Sequence, residues 1–395
     1  MNNISENAFC SGCGVCSAVC PKNCISTEEN TRGELRAKVN PDICVSCGKC
    51  KTVCPSFNGV VPDNRNETVY LGVAPDFEKN GSSGGVATYF FNALLESKTV
   101  NFAVLVKPQN DSDELFSYTI CKTKDDLKKC QGSAYYPVTL EKVLRDMNSI
   151  DGTFAVIGVP CFINALKNLK ASSDVWDKKI KFLIGIVCGH TPNKHLVDCL
   201  AYKSGHNRAD ITSCRFRIKD TDRPAWDYGV RLSFSDKKEF KSFGSDDFGF
   251  LFWRRLFIGD CCLNCRDVFA ENADITFMDA WLPEYKEKPE GTSLIVCRNE
   301  ELKSLLSPLV EDGSLKETKR EDIYTAQEKL VAYKQNAGKH GKDKKLAEET
   351  QKVFSLNKGK KDIVERLRRV VYKQNLKRKN PLLWLLVETK DRLKR

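Results

Sequence analysis

CSGCGVCSAVCP at residues 10–21 and CVSCGKCKTVCP at residues 44–55 are two copies of one pattern, C-x2-C-x2-C-x3-C-P. Three closely spaced cysteines wrap three irons of a cubane, and the fourth reaches across to the other cluster. The ligand sets expected from this are Cys10, Cys13 and Cys16 with Cys54, and Cys44, Cys47 and Cys50 with Cys20. Each fourth cysteine is expected to start a short helix, with Pro21 and Pro55 ending its segment. Gly12, Gly14 and Gly48 permit a cramped backbone whose N–H groups approach the sulfurs. Between the copies, GELRAKVN (33–40) reads as one arm of a small hairpin. Zinc fits poorly, because it takes four ligands and rarely three cysteines spaced this way. Cys24 falls outside the pattern and reads as a small buried thiol.

Working outward, nine of the 19 cysteines in this 395-residue chain precede residue 60. The first residues, MNNISENAF, have neither a basic start nor an apolar core, so no secretory signal is read there. The longest apolar stretches, such as 382–387, are far short of the ~20 residues that span a bilayer. A cytosolic, reducing setting is therefore expected, in which cysteines serve as metal ligands or catalytic groups. Charge is concentrated at the end. Residues 335–395 carry 19 Lys and Arg against 7 Asp and Glu, a net of +12; the whole chain is +11, leaving −1 for the rest. Three regions are expected: a two-cluster head (1–59), an oxidoreductase body (60–334, dividing near 150), and a basic helical tail (335–395).

The body alternates short β-type runs with helical stretches. The runs are VYLGVA (69–74), NFAVLV (101–106), FAVIGV (154–159), KFLIGIVC (181–188) and ADITFMDAW (273–281); helical stretches include 85–97 and 163–169. This predicts an α+β fold with an α/β-like body, a mixed and largely buried sheet, and a small two-cluster ferredoxin-type domain in front. Three runs end at chemically notable residues: Pro160-Cys161, Cys188-Gly189-His190, and Asp279-Ala280-Trp281. Ligands of open α/β sheets bind beyond the carboxyl ends of strands, so these three are expected to share a crevice.

Gly81-Ser82-Ser83-Gly84-Gly85 precedes a helical pattern and suits either phosphate binding by backbone N–H groups or a plain helix start capped by Ser83. Cys262-Leu263-Asn264-Cys265 suits a redox dithiol, half a zinc site or, with Cys161 and Cys188, a third cluster. Cys261 competes with Cys262 for the same place. Cys121, Cys130, Cys199, Cys214 and Cys297 have no partner spacing and read as buried small residues.

In order along the chain, the two-cluster head, GSSGGVATYF (81–90), GSAYY (132–136), GVPCFINAL (158–166), GIVCGH (185–190), FRIKD (216–220), CCLNC (261–265), ADITFMDAW (273–281) and GTSLIV (291–296) resemble the family of coenzyme F420 hydrogenase/dehydrogenase beta subunits. The resemblance covers residues 10 to 334. It implies FAD beside [4Fe-4S] clusters, exchanging hydride with a deazaflavin or another small organic substrate. It also implies cofactor contacts at Gly84, Gly85, Ser133, Tyr135, Pro160 and Lys219, a cluster at Cys161, Cys188, Cys262 and Cys265, and substrate or charge roles for Arg217 and Asp279. Ala134, Met278 and Val159 depart from the usual Lys, Gly and Thr. The flavin also has a physical rationale: hydride chemistry moves two electrons, each cubane passes one, and a flavin converts between them.

Of four histidines, His190 is best placed to donate a proton. In the tail, Ile363, Leu367, Val370 and Val371 fall at helical spacing, and Asn380-Pro381 restarts a helix. Such a basic amphipathic segment suits an anionic membrane surface, a protein partner, or a return onto the body. No recognition motif accompanies the charge, so nucleic acid is not expected. The reading is an FAD- and [4Fe-4S]-dependent oxidoreductase, served by a ferredoxin, NADH-linked or deazaflavin redox partner. A non-catalytic electron-transfer subunit is the alternative.

Overall fold

The computed structural model describes residues 2–5, 7–62, 65–110 and 114–379. Its strands, among the described residues, are β1 (Ile25–Glu29), β2 (Leu35–Val39), β3 (Thr68–Gly72), β4 (Phe102–Pro108), β5 (Phe116–Cys121), β6 (Phe154–Gly158), β7 (Ile180–Ile186), β8 (Ile211–Ile218), β9 (Gly229–Phe234), β10 (Glu239–Phe243), β11 (Ile275–Asp279), β12 (Ser293–Cys297) and β13 (Leu315–Thr318). β1 and β2 form the head hairpin in antiparallel register, Ile25 opposite Val39.

The body is built on an eight-stranded sheet in the order β13-β3-β12-β11-β7-β6-β4-β5. Its centre is parallel: β11 pairs with β7, β7 with β6, and β6 with β4. β12, β3, β13 and β5 are antiparallel additions at the flanks. β6 is buried at all five positions. That is why FAVIG is continuously apolar rather than alternating. The helix Val86–Glu96 covers one face, packing Phe90, Phe91 and Leu94 against β4, β6, β7 and β11. The helix Pro160–Ala171 covers the other, where the head cysteines share its apolar cluster. Each fully buried Leu or Phe there contributes about 1.5–3 kcal/mol.

A second sheet, β10-β9-β8, is antiparallel and lies against the helices His195–Ser204 and Asp247–Trp253. The tail returns to this layer. Helices Gly341–Leu356 and Ile363–Lys379 pack into it through Phe354, Ile363, Val364 and Leu367, all fully buried. Of the expected apolar positions, Val370 is only partly buried and Val364 takes its place. The helix expected from Asn380 onward lies outside the described residues. Among the described residues no helix is long and apolar enough to cross a membrane.

Two local expectations are corrected. The helices Val15–Ala18 and Lys49–Thr52 precede Cys20 and Cys54, which follow the helices rather than start them. Gly14 and Gly48, both left-handed, cap those helices at φ 77° and 78°. Ser83 does not cap the helix Val86–Glu96; left-handed Gly85 does, and the Ser83 hydroxyl donates to the Thr292 carbonyl instead.

Candidate redox site

The head presents two cavities. One, of about 330 Å³ counting its open mouth, is lined by Cys44, Cys47, Cys50 and Cys20. The other, of about 370 Å³ on the same measure, is lined by Cys10, Cys13, Cys16 and Cys54. The two repeats therefore exchange their fourth cysteines across the head, the arrangement expected from the spacing. Neutral donors point at these sulfurs: Asn3 Nδ2 at Cys44 (3.5 Å), Asn7 Nδ2 at Cys54 (3.3 Å), and the Gly12 and Ala37 N–H groups at Cys10 (3.4 and 3.5 Å). Among the described residues no three His, Cys, Asp or Glu side chains close around a single ion position. Cysteines standing around a cavity suit a cubane better than one zinc ion. Cys24 is buried as expected, yet it lines the same cavity as Cys20, 3.4 Å from its sulfur.

The carboxyl ends of β6, β7 and β11 lie side by side because those strands are parallel neighbours. Beyond β6, Pro160 is the first residue of its helix, which sets Cys161 in the first turn. Burial pushes the Cys161 thiol well up, and the charges of Cys265, Cys188, Cys262 and the head residue Cys13 act in the same direction. Cys188 is likewise pushed up to about 12 by burial, with Cys262 and Cys265 close enough to act on it. The four expected cysteines thus lie close enough to act on one another electrostatically, and Cys161 packs against the apolar cluster shared with the head. The Cys262 and Cys261 sulfurs stand 3.8 Å apart, and the Thr191 N–H donates to Cys262 Sγ, which favours Cys262 as the ligand of the pair. Cys121, Cys130, Cys199, Cys214 and Cys297 are all buried, Cys121 and Cys130 with sulfurs 3.6 Å apart.

Lys334 carries no motif, and sequence reading missed it. It lies on the helix Glu328–Gln335 with its side chain turned inward, donating to Cys265 Sγ at 3.3 Å and to the Asp267 carbonyl. Burial opposes its charge, but Cys188, Cys265 and Cys262 outweigh that and hold it protonated.

A second group gathers around the glycine loop. Arg217 occupies a bulge in β8, where the register shifts between Phe216 and Ile218, and has φ +57°. A non-glycine residue in that region is strained and marks a position fixed by its surroundings. The bulge sends the guanidinium to the Ser82 carbonyl and the Asp279 carboxylate. Its face lies 4.0 Å from the Tyr228 ring centre and 5.3 Å from that of Trp281. Ser133 meets Ser82 hydroxyl to hydroxyl at 2.8 Å. Lys219 donates to the carbonyls of Glu78 (3.0 Å), Ser83 (3.1 Å) and Glu290, bracing the loop from behind. Burial and the Arg217 charge lower its pKa to about 8. Gly84 and Gly85 are packed against backbone: a Cβ on Gly84 would sit 2.8 Å from the Gly72 carbonyl oxygen, and one on Gly85 2.6 Å from the Glu78 nitrogen.

The two groups are joined by stacked rings. Tyr228 donates to or accepts from the Tyr135 hydroxyl at 3.4 Å, Tyr135 packs on Phe252 (4.6 Å between centroids), and Phe252 stacks on His190 (4.7 Å). His190 is therefore brought into the site. Burial, with the Arg255 and Lys334 charges, lowers its pKa to about 3, which favours neutral imidazole over the charged proton donor expected from sequence. Among the described residues, Arg217 Nη1 and His190 Nε2 are buried without a partner. An unpartnered buried polar atom costs about 1–3 kcal/mol, so a donor at Arg217 and a ring nitrogen at His190, both beside aromatic rings, suit contact with a polar, aromatic ligand such as a flavin.

The mixed sheet with a two-cluster head and a converged cysteine group defines an iron–sulfur protein of oxidoreductase type. Residues 9–58 match the 4Fe-4S dicluster domain, residues 69–145 the N-terminal part and residues 151–323 the C-terminal part of the coenzyme F420 hydrogenase/dehydrogenase beta subunit. The chain belongs to that family. It is 26% identical over 322 residues to the coenzyme F420-dependent sulfite reductase of Methanocaldococcus jannaschii, covering 76% of this chain and 46% of that protein. It is 23% identical over 194 residues to an F420H2 dehydrogenase subunit of Methanosarcina mazei, covering 47% of this chain and 54% of that protein. The chain thus spans about half the length of the curated relatives it matches. Its fold is similar to a chain of the F420-reducing [NiFe] hydrogenase complex from Methanosarcina barkeri, with a TM-score of 0.50 and 13% identity over 70% of this chain and 94% of that one.

Proposed function

We propose that this chain is an FAD-containing iron–sulfur oxidoreductase that moves electrons between the head cubanes and a small organic substrate or deazaflavin-type coenzyme. The observation that carries the proposal is the position of the Cys161, Cys188, Cys262 and Cys265 group. On one side Cys161 packs against the apolar cluster it shares with the head cysteines, and on the other the group runs by the ring row His190–Phe252–Tyr135–Tyr228 to Arg217 and Asp279. FAD, when bound, supplies the conversion between one-electron and hydride chemistry. The residues at hand divide the remaining work. The loop 81–85 and the helix N-terminus behind it suit a phosphate or pyrophosphate. Arg217 Nη1 offers a fixed, charged donor to an acceptor atom of a ligand, and Asp279 with the Ser82 carbonyl holds it there.

A second reading, a subunit that relays electrons to a separate enzyme, draws support from the likeness to a protein named as a dehydrogenase subunit and to a chain of a hydrogenase complex.

Anaerobic purification with iron, sulfide and flavin quantified together tests both. Roughly twelve irons, four per cubane, and one FAD per chain are expected. Colourless protein overturns both readings. Brown protein lacking flavin leaves the relay alone. A donor screen with NADH, reduced ferredoxin and reduced deazaflavin then separates a working oxidoreductase from a subunit that needs its partner.

A further inference from the structure

The sulfurs of the head and of the body meet different hydrogen-bond donors. Among the described residues, the donors placed on head cysteines are neutral, among them the amides of Asn3 and Asn7, the backbone N–H groups of Gly12, Ala37 and Cys24, and groups of Ser46 and Ser56. Lys22 and Lys49 line one head cavity but are exposed, where water and salt screen them. The body group instead has Lys334, 2% exposed, with its ammonium 3.3 Å from Cys265 Sγ and its remaining bond to a backbone carbonyl. A cation in so dry a place is costly unless anions match it. Four thiolates around a cubane supply that match, and each electron added makes the cubane more negative and the match stronger. Hydrogen bonds to sulfur, local net charge and exposure are what set a cluster's potential.

We propose that Lys334 sets the reduction potential of the centre held by Cys161, Cys188, Cys262 and Cys265, placing it above the two head centres so that electrons run from head to body. The proposal rests on the reading that those four cysteines hold a cubane. Each transfer moves one electron, oxidising a head cubane and reducing the body cubane, and needs no proton. Lys334 acts through the cluster's sulfur ligand and is a positioning residue.

The test is an anaerobic potentiometric titration of the full chain followed by EPR, with the body signal assigned by its loss in Cys161→Ala. In the wild type the body centre should be reduced before either head centre. In Lys334→Gln, which keeps a neutral donor, and Lys334→Met, which keeps none, the body midpoint should move to more negative potential while the head midpoints stay put. Lys334→Arg should restore most of the wild-type value. A body midpoint unmoved in both neutral variants, or a wild-type body centre reduced after the head, overturns the proposal. Should the neutral variants fail to retain the body irons, the wild-type order decides alone. If Cys161→Ala has the same iron content as the wild type, it is the third cubane that fails, a result distinct from a misplaced potential.

Discussion

Arg217 of β8 and Asp279 at the end of β11 form an ion pair between the two sheets of the body, with side chains 2% and 21% exposed. The arginine is over-determined: a bulge turns it, Ser82 and Asp279 fix its guanidinium, and Tyr228 covers its face. Removing one partner of a buried pair leaves the other charge uncompensated, at about 3–5 kcal/mol. Arg217→Ala should therefore lower thermal stability by that order and release flavin on desalting. Retained flavin with an unchanged melting temperature would show that the pair neither braces the loop nor faces the cofactor.

Cys261 and Cys262 are adjacent, but their surroundings differ. Cys262 Sγ accepts from the Thr191 N–H, a bond that stabilises its thiolate. Cys262→Ser should lose roughly four irons, one cubane, and Cys261→Ser none. The reverse pattern in iron and sulfide assays would reassign the ligand.

The head is docked by Arg208, whose guanidinium binds Asp198 at 2.7 Å and Glu29 of β1 at 2.9 Å. Burial pushes both carboxyls upward, but Arg208 (with His195 at Asp198 and Lys194 at Glu29) more than offsets this and holds both below their ordinary values. A carboxyl with a lowered folded pKa stabilises fully above its unfolded value of about 4 and stops doing so as pH falls through the folded one. Arg208→Ala should cost about 2 kcal/mol near pH 7, seen as faster hydrogen exchange in β1 and β2. The gap from wild type should close below pH ~4. A gap independent of pH would mean the docking is not electrostatic.

Gly85 has φ +81°, and an added Cβ would meet Phe77 and Glu78 backbone at 2.6 Å. Gly85→Ala should destabilise the loop by about 1–3 kcal/mol for the backbone conformation alone and weaken flavin retention. Gly59, with nothing within 4 Å, is the control, and Gly59→Ala should change neither melting temperature nor flavin content.

Leu367 is fully buried with Phe354, Ile363 and Val364 in the layer under the second sheet. Leu367→Ala should cost about 2–5 kcal/mol in denaturant unfolding. A loss under ~1 kcal/mol, well short of a core truncation, would place the tail outside the cooperative core.

The head was legible residue by residue because cubane ligation fixes spacing, and cysteine at that spacing has few other uses. The central strands were legible because β6 is buried and apolar throughout and β7 and β11 are mostly so, broken only by Lys181, Thr276 and Asp279. Their shared carboxyl edge followed from that reading. Arg217 could be named only through the family resemblance, since the bulge that aims it leaves no mark in FRIKD. Lys334 was invisible: in KLVAYKQN it reads as one more solvated lysine, and only the folded chain turns it toward sulfur. The tail was read by charge, which marks its solvent face; the buried stripe that binds it to the body was noted but did not decide where it packs. The proton donor expected at His190 met a ring, Phe252, and two cations that no local pattern could reveal.

His195 accepts the head, the body and the tail at one point: its ring nitrogens face the Thr31 carbonyl and Asp198, and its plane stacks on Phe354 at 4.0 Å. Gln351 reaches the same Thr31 carbonyl at 3.1 Å. A ribosome releases residue 31 long before residue 354, so the hairpin tip has no finished seat during most of translation. Metal delivery to the first fifty-odd residues has that interval available before the last helices close on the hairpin tip.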